Sequence, residues 1–168
     1  MWPLIQIFID IAFHRRGPED LPSQAFLLGA VMVVALVVST VSLVMLGNGF
    51  GTAVLETGVS LVVFLVFYRV LLTLAGRPER FTQTVTALLG TSVLLSLIAM
   101  PLLLTLGENA EEVPPLTVFL LLGLLLWSLD IAGFIISRAL ERHYALGVTI
   151  AVGFFLLEGQ LRRWLAGD

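Results

Sequence analysis

Apolar positions fall in long blocks along this chain, without the three-to-four spacing of a soluble amphipathic helix or the alternation of a half-buried strand. Five blocks rich in Leu, Val, Ile, Phe and Ala cover residues 25–46, 52–75, 83–106, 116–137 and 144–158. A helix rises about 1.5 Å per residue, so about 20 apolar residues cross the roughly 30 Å hydrocarbon layer of a bilayer. The first four blocks reach that length. The fifth is shorter: it is uninterrupted from Ala145 to Leu157, then meets Glu158 and an amphipathic tail, GQLRRWLAGD. Between the blocks lie the polar segments HRRGPEDLPSQ, GNGFG, GRPER, GENAEEVPP and RALERHY. Pro18 and Pro22 break the first of these, and GNGFG has the composition of a tight turn. The pattern predicts an all-α membrane protein, with a five-span helical bundle over residues 25–168.

Residues 1–13 (MWPLIQIFIDIAF) are apolar but reach only about 20 Å as a helix, too short to span. Gln6 and Asp10 share one face, and Ile5, Phe8, Ile9 and Ala12 lie largely opposite. This predicts an N-terminal interfacial helix in the headgroup layer, followed by a polar linker to residue 24. A secretory signal places its positive charge before the apolar run and a small-residue cleavage site after it. Here Arg15 and Arg16 follow the run and no such site appears, so the segment reads as retained.

Arginine placement gives an orientation. With the N-terminus inside, the inner side receives Arg15, Arg16, Arg77, Arg80, Arg138 and Arg142, with Arg69 near the inner end of span 2. The outer side receives Arg162 and Arg163. The bias predicts a cytoplasmic N-terminus and a periplasmic C-terminus in a bacterial inner membrane. It holds if span 5 crosses; otherwise the tail folds back inside. The two inner hairpins also share a grammar. Glu79-Arg80-Phe81 enters span 3, Glu141-Arg142-His143-Tyr144 enters span 5, and an arginine closes each preceding span. This suggests either duplicated helix pairs after an unpaired first span or only that inner loops are arginine-rich and lead into an aromatic belt residue.

Composition narrows the functional classes. Of 168 residues, 58% are apolar and only 12% charged, against about 25% in soluble domains, and mean hydropathy is +1.04. All nine basic residues are arginines and the net charge is −3, which offers no basic stripe for nucleic acid. There is no cysteine, so disulfides, thiol nucleophiles and cysteine metal sites are excluded. His14 and His143 both lie outside the apolar blocks. No HExxH span, intramembrane Ser–His dyad, paired intramembrane aspartates or glycine-rich phosphate loop is present. The expected protein is non-enzymatic and needs no cofactor or metal.

The polar residues inside the blocks are the candidate sites. Asp130 stands in LTVFLLLGLLLWSLDIAGFIIS (116–137). A charge at that depth costs about 2.5–3.5 kcal/mol on insertion scales. Arg69 in span 2 and Asp130 both fall about 10 Å below the inner surface, which makes them a candidate ion pair. Such a pair locks a bundle, or forms part of a proton or ion relay. One acid and one base without broken helices favour the lock. Gly123, Trp127, Asp130, Phe134 and Ser137 form a stripe expected to face the bundle, with Leu121, Leu125, Leu129 and Ile136 toward lipid. Ser39, Ser42, Ala87, Gly90, Thr91, Gly147 and Ala151 read as packing seams. Glu56, Glu158, Arg162 and Arg163 are expected to form a charge cluster at the outer interface; a cation-binding carboxylate pair is the other reading.

Two stretches carry a family resemblance. GRPERFTQTVTALLGTSVLLSLIAMPLL (76–103) and WSLDIAGFIISRALERHYALGVTIAV (127–152) resemble the Yip1 family, including its small bacterial members. The first is similar to the family's glycine-basic loop, aromatic residue and span ending at a proline, here Pro101. The second is similar to its Trp-bearing fourth span and following hairpin. The long N-terminal region of eukaryotic members is absent, and Asp130 and Arg69 match no motif of the family. The resemblance implies a non-enzymatic protein acting through partners or on membrane organisation. The expectation is an accessory or scaffold protein whose partners are the lipid bilayer and another membrane protein or a second copy. A small transporter or channel subunit using Asp130 and Arg69 is the alternative, and a membrane-embedded enzyme stands third.

Overall fold

The structure, a computed structural model, describes residues 2–107 and 114–166. It contains α1 (Trp2–Ala12), α2 (Ala25–Met45), α3 (Phe50–Leu74), α4 (Phe81–Gly107), α5 (Pro115–Leu140) and α6 (Tyr144–Ala166), with no strand among the described residues. Helices α2 to α6 are each long and apolar enough to cross a membrane. Most of the acidic segment between α4 and α5, residues 108–113, lies outside the described residues.

The helix ends follow local chemistry. α2 stops where Gly47 adopts φ +91°, and α3 stops before Gly76 at φ +72°, conformations that cost glycine little. α5 ends at Glu141, which takes the left-handed conformation (φ +52°) without being glycine. The main departure from expectation is α6. The tail predicted to leave the membrane at Glu158 is continuous helix to Ala166. Glu158 and Arg162, four residues apart on that helix, are ion-paired at 2.7 Å, so neither charge interrupts it.

α4 is the central element, touching α1, α2, α3 and α5. α5 and α6 form the tightest pair. A Cβ at Gly147 would lie 2.1 Å from the Gly133 carbonyl oxygen, and one at Gly133 would lie 2.9 Å from the Val148 backbone. These two glycines let the backbones touch, as small residues do at membrane helix interfaces. α3 is the loosest span and meets α2, α4 and α6 over few positions.

One end of the bundle gathers the arginines. Arg77 and Arg80 both donate to the Glu141 carboxylate, and Arg80 Nη1 also donates to the carbonyls of Arg138 (3.1 Å) and Ala139 (3.3 Å). The two loops predicted to share a grammar are thus tied to each other. At the opposite end Arg162 meets Glu56 near the start of α3, at 3.5 Å. α6 therefore runs the whole length of the bundle.

The N-terminal segment packs into this bundle. Phe8, Ile11 and Ala12 are buried in the common core, and the Phe8 ring fills the space that a side chain at Gly90 of α4 would need. Ile5 and Ile9, placed with Phe8 on the apolar face of this helix, are exposed, while Phe8 is buried. Gly90 and Asp130 each stand nine or ten residues from the arginine-end terminus of their helix, about 13–15 Å along it. α1 and the His14 that follows it touch α4 and α5 at this common level, so α1 lies across the spans. The chain then returns to the arginine end. Leu21 is buried at 2% exposure, its carbonyl accepts from Gln83 Nε2 at 2.8 Å, and Glu19 pairs with Arg138. This cover explains why Ile136, expected toward lipid, is fully buried: the arginine-end third of α5 is enclosed by α4, α6 and the N-terminal segment.

Substituting Gly147→Ala forces α5 and α6 apart and is expected to cost about 1–3 kcal/mol, the usual range for overpacking. Gly153→Ala, where a Cβ meets nothing within 4 Å, is expected to stay within about 0.5 kcal/mol. Denaturant unfolding of the two variants in the same detergent checks the difference.

Candidate functional site

Asp130 is positioned by α5, and both its oxygens are engaged. Oδ1 accepts from the Tyr144 hydroxyl at the head of α6, and Oδ2 lies 3.3 Å from His14 Nε2. Tyr144 reaches it because the Gly133–Gly147 contact draws the two helices together. His14 reaches it because the chain reverses immediately after α1. His14 takes a left-handed conformation (φ +57°), and its N–H donates to the Ile11 carbonyl at 2.9 Å. The imidazole then stacks on Phe134 with centroids 4.3 Å apart. Trp127 Nε1 donates to the Ala12 carbonyl at 3.3 Å, and its ring packs on Phe13 at 5.5 Å.

Trp127, Asp130 and Phe134 thus form one face of α5, as the stripe predicted, and that face receives the end of the N-terminal segment. Ser137 is buried on the α6 side, where a Cβ at Gly147 would meet it. Gly123 does not belong to the stripe. It is exposed, and a Cβ there would meet nothing within 4 Å, because the N-terminal segment covers α5 only from Trp127 onward.

The expected Asp130–Arg69 pair is not formed. Arg69 Nη1 donates to the Pro78 carbonyl at 3.4 Å, and its guanidinium lies 5.3 Å from the Phe81 ring centroid. The reason is adjacency. α3 packs on α2, α4 and α6, while α5 packs on α4, α6 and α1. A shared depth does not bring α3 and α5 side by side. An Asp–His pair is also the base half of hydrolytic triads, but here the imidazole is stacked on Phe134 and the second carboxylate oxygen is held by Tyr144.

The outer charge cluster forms as expected in three of its four members. Arg162 bridges Glu56 at 3.5 Å and Glu158 at 2.7 Å, while Arg163 is exposed with no contact to them. Beneath this bridge is a feature the sequence reading missed. A cavity of about 380 Å³ lies between α2, α3, α4 and α6. Each of the first three contributes two hydroxyls: Ser39 and Ser42, Thr57 and Ser60, Ser92 and Ser96. Phe64 and Phe154, edge-to-face at 5.6 Å, line it as well. Phe64 stands eight residues beyond Glu56, about 12 Å deeper along α3.

Two of these hydroxyls are anomalous. Hydroxyls inside a helix normally return to a carbonyl three or four residues back. Ser42, Thr84, Thr86 and Thr91 do so at 2.6–2.9 Å. The buried Thr57 Oγ1 and Ser60 Oγ have no hydrogen-bond partner within the protein. The sequence signal was a Ser/Thr pair at three- or four-residue spacing in each of three spans. Each pair alone reads as a packing seam, and only the tertiary arrangement turns them toward one space.

Asp130→Ala is expected to free the end of the N-terminal segment. Hydrogen bonds to charged groups contribute about 1.5–3 kcal/mol, so backbone amide exchange at residues 12–16 should rise about tenfold or more. Trp127→Phe, which removes one donor, should give a smaller rise, and exchange in α2 should not change. Hydrogen–deuterium exchange in detergent reads all three.

No protein-family model, curated protein or solved structure matches this chain.

Proposed function

We propose that this is a non-enzymatic accessory or scaffold protein of a bacterial inner membrane, acting through another membrane protein or a second copy of itself. The observation that carries this reading is the state of Asp130. The intramembrane acid is held by Tyr144 and His14 and lies outside the cavity, so it ties α1, α5 and α6 together and lines no path. The arginine bias supports a cytoplasmic arginine end. The resemblance to the Yip1 family favours the same class of role.

The polar segments at the arginine end are engaged within the chain. Arg77 and Arg80 are held by Glu141, Glu19 by Arg138, and Arg16 by Asp10 at 3.3 Å. Docking therefore falls to the apolar flanks. The outward face of α3 exposes Val54, Leu55, Val62 and Val66 and belongs to a span that meets its neighbours over few positions. A photocrosslinker at Val62 in native membranes is expected to capture one protein in near-stoichiometric yield. Capture of lipid alone at Val62, and equally at Val33 and Phe119 on α2 and α5, would overturn the scaffold reading.

A second reading, a small transporter or channel subunit, rests on the hydroxyl-lined cavity and not on Asp130. Asp130→Asn should then leave proton flux in reconstituted vesicles unchanged at equal protein level. A specific loss of flux in that variant would return Asp130 to a transport path and sink the lock.

A further inference from the structure

We propose that the cavity between α2, α3, α4 and α6 binds a small amphiphilic organic cation, a protonated amine on a short apolar body. The inference stands on the cavity alone and holds whether the protein is a scaffold or a transporter.

Charge comes first. Glu56 and Glu158 carry two negative charges and Arg162 one positive, so the bridge over the cavity holds one net negative charge. An anion entering there meets repulsion, and a cation meets attraction strengthened by the apolar surroundings. Hydrogen bonding comes second. Thr57 is 7% exposed, and its Oγ1 and the Oγ of Ser60 are buried without a partner. A buried hydroxyl without a partner is destabilising. An acyl chain in the cavity leaves that cost in place. An ammonium group brings three N–H donors, which the Glu56 and Glu158 carboxylate oxygens that line the cavity accept. Shape and polarity come third. Leu43, Leu61, Leu89 and Leu103 line the walls, and Phe64 and Phe154 present ring surfaces that attract cations and apolar groups alike. The volume falls at the lower end of the roughly 300–1,000 Å³ typical of small-molecule sites. A bare metal ion is far too small for it, and the apolar walls do not suit a sugar.

The test uses the full chain purified in a neutral detergent, with octylamine, protonated near pH 7, as the probe. Octanol and octanoate match its chain with no charge and with the opposite charge. Native mass spectrometry is expected to show one octylamine per protein, with occupancy by octanol and octanoate lower by about tenfold or more. Glu56→Gln should lower octylamine occupancy by a similar factor, and Ser60→Leu, which fills the cavity from α3, should abolish it. Ser96→Leu fills the same space from α4 and decides the matter if Ser60→Leu fails to elute as folded protein. Absence of a one-to-one adduct, equal binding of octanol or octanoate, or binding indifferent to Glu56→Gln and to the filled cavity would each overturn the proposal. Displacement of octylamine by phosphatidylethanolamine but not by phosphatidylglycerol supports an amine carried on a lipid headgroup. Displacement by neither supports a free amine, and equal displacement by both overturns the proposal by showing that acyl chains occupy the site.

Discussion

Hydrocarbon offers no hydrogen-bond partner, so a polar group inside a membrane bundle must find its partner within the protein. Most of this structure follows from that constraint. The five spans are helices because helices alone satisfy their backbone within one segment. The hydroxyls of Thr84, Thr86 and Thr91 turn back onto their own helix. Asp130 has no such local remedy, because a carboxylate only accepts. Its hydrogen-bond donor is Tyr144 at the head of α6, and its second oxygen lies beside the imidazole of His14, just past the end of α1. The N-terminal segment is therefore part of the bundle's polar accounting. Without His14 and the Ala12 carbonyl, Asp130 and Trp127 would each face hydrocarbon with a group unmet.

Backbone conformation shows the same constraint at work. Left-handed residues at helix ends are usually glycine, because a side chain costs energy there. His14 and Glu141 both take that conformation. Each uses its side chain to close a long-range polar contact: His14 onto Asp130 and Glu141 onto Arg77 and Arg80. Glycine would relax the backbone and lose the tie. The local cost is thus coupled to the fixing of α1 on α5 and of the α3–α4 loop on the α5–α6 loop.

What the sequence made legible divides along the same line. The spans were readable because block length and hydropathy are local properties. The Glu56–Glu158–Arg162 cluster was readable because all three charges fall near one membrane boundary, where charge collects. The partner of Asp130 was not readable. Matching depths correctly limits which spans can pair, but adjacency is set by packing, and here α3 and α5 are not adjacent. Looking only among spans for the partner also passed over His14, which a charge count assigns to a loop. The reach of α6 was underestimated because Glu158 and Arg162 were weighed singly, although at four-residue spacing each covers the other. The cavity was invisible for a different reason. Ser39 with Ser42, Thr57 with Ser60, and Ser92 with Ser96 are unremarkable alone, and convergence is a tertiary fact.

The two ends of the bundle differ in bracing, and the difference bears on motion. At the arginine end, Glu141 joins two loops, Glu19 joins the N-terminal segment to α5, and Asp130 joins α1 to α5 and α6. At the other end, α3 is held to α6 by Arg162 across 3.5 Å and otherwise by sparse contacts. Local opening is drawn from regions with few buried contacts. The Glu56 end of α3 is thus the less braced end of that helix. The Arg162–Glu56 contact there stands beside Thr57 and Ser60, the two hydroxyls without a partner in the protein. The unsatisfied groups, the weakest ion pair and the loosest span coincide on one helix. This is the arrangement expected of a wall that yields to something polar, and the opposite of the one that surrounds Asp130.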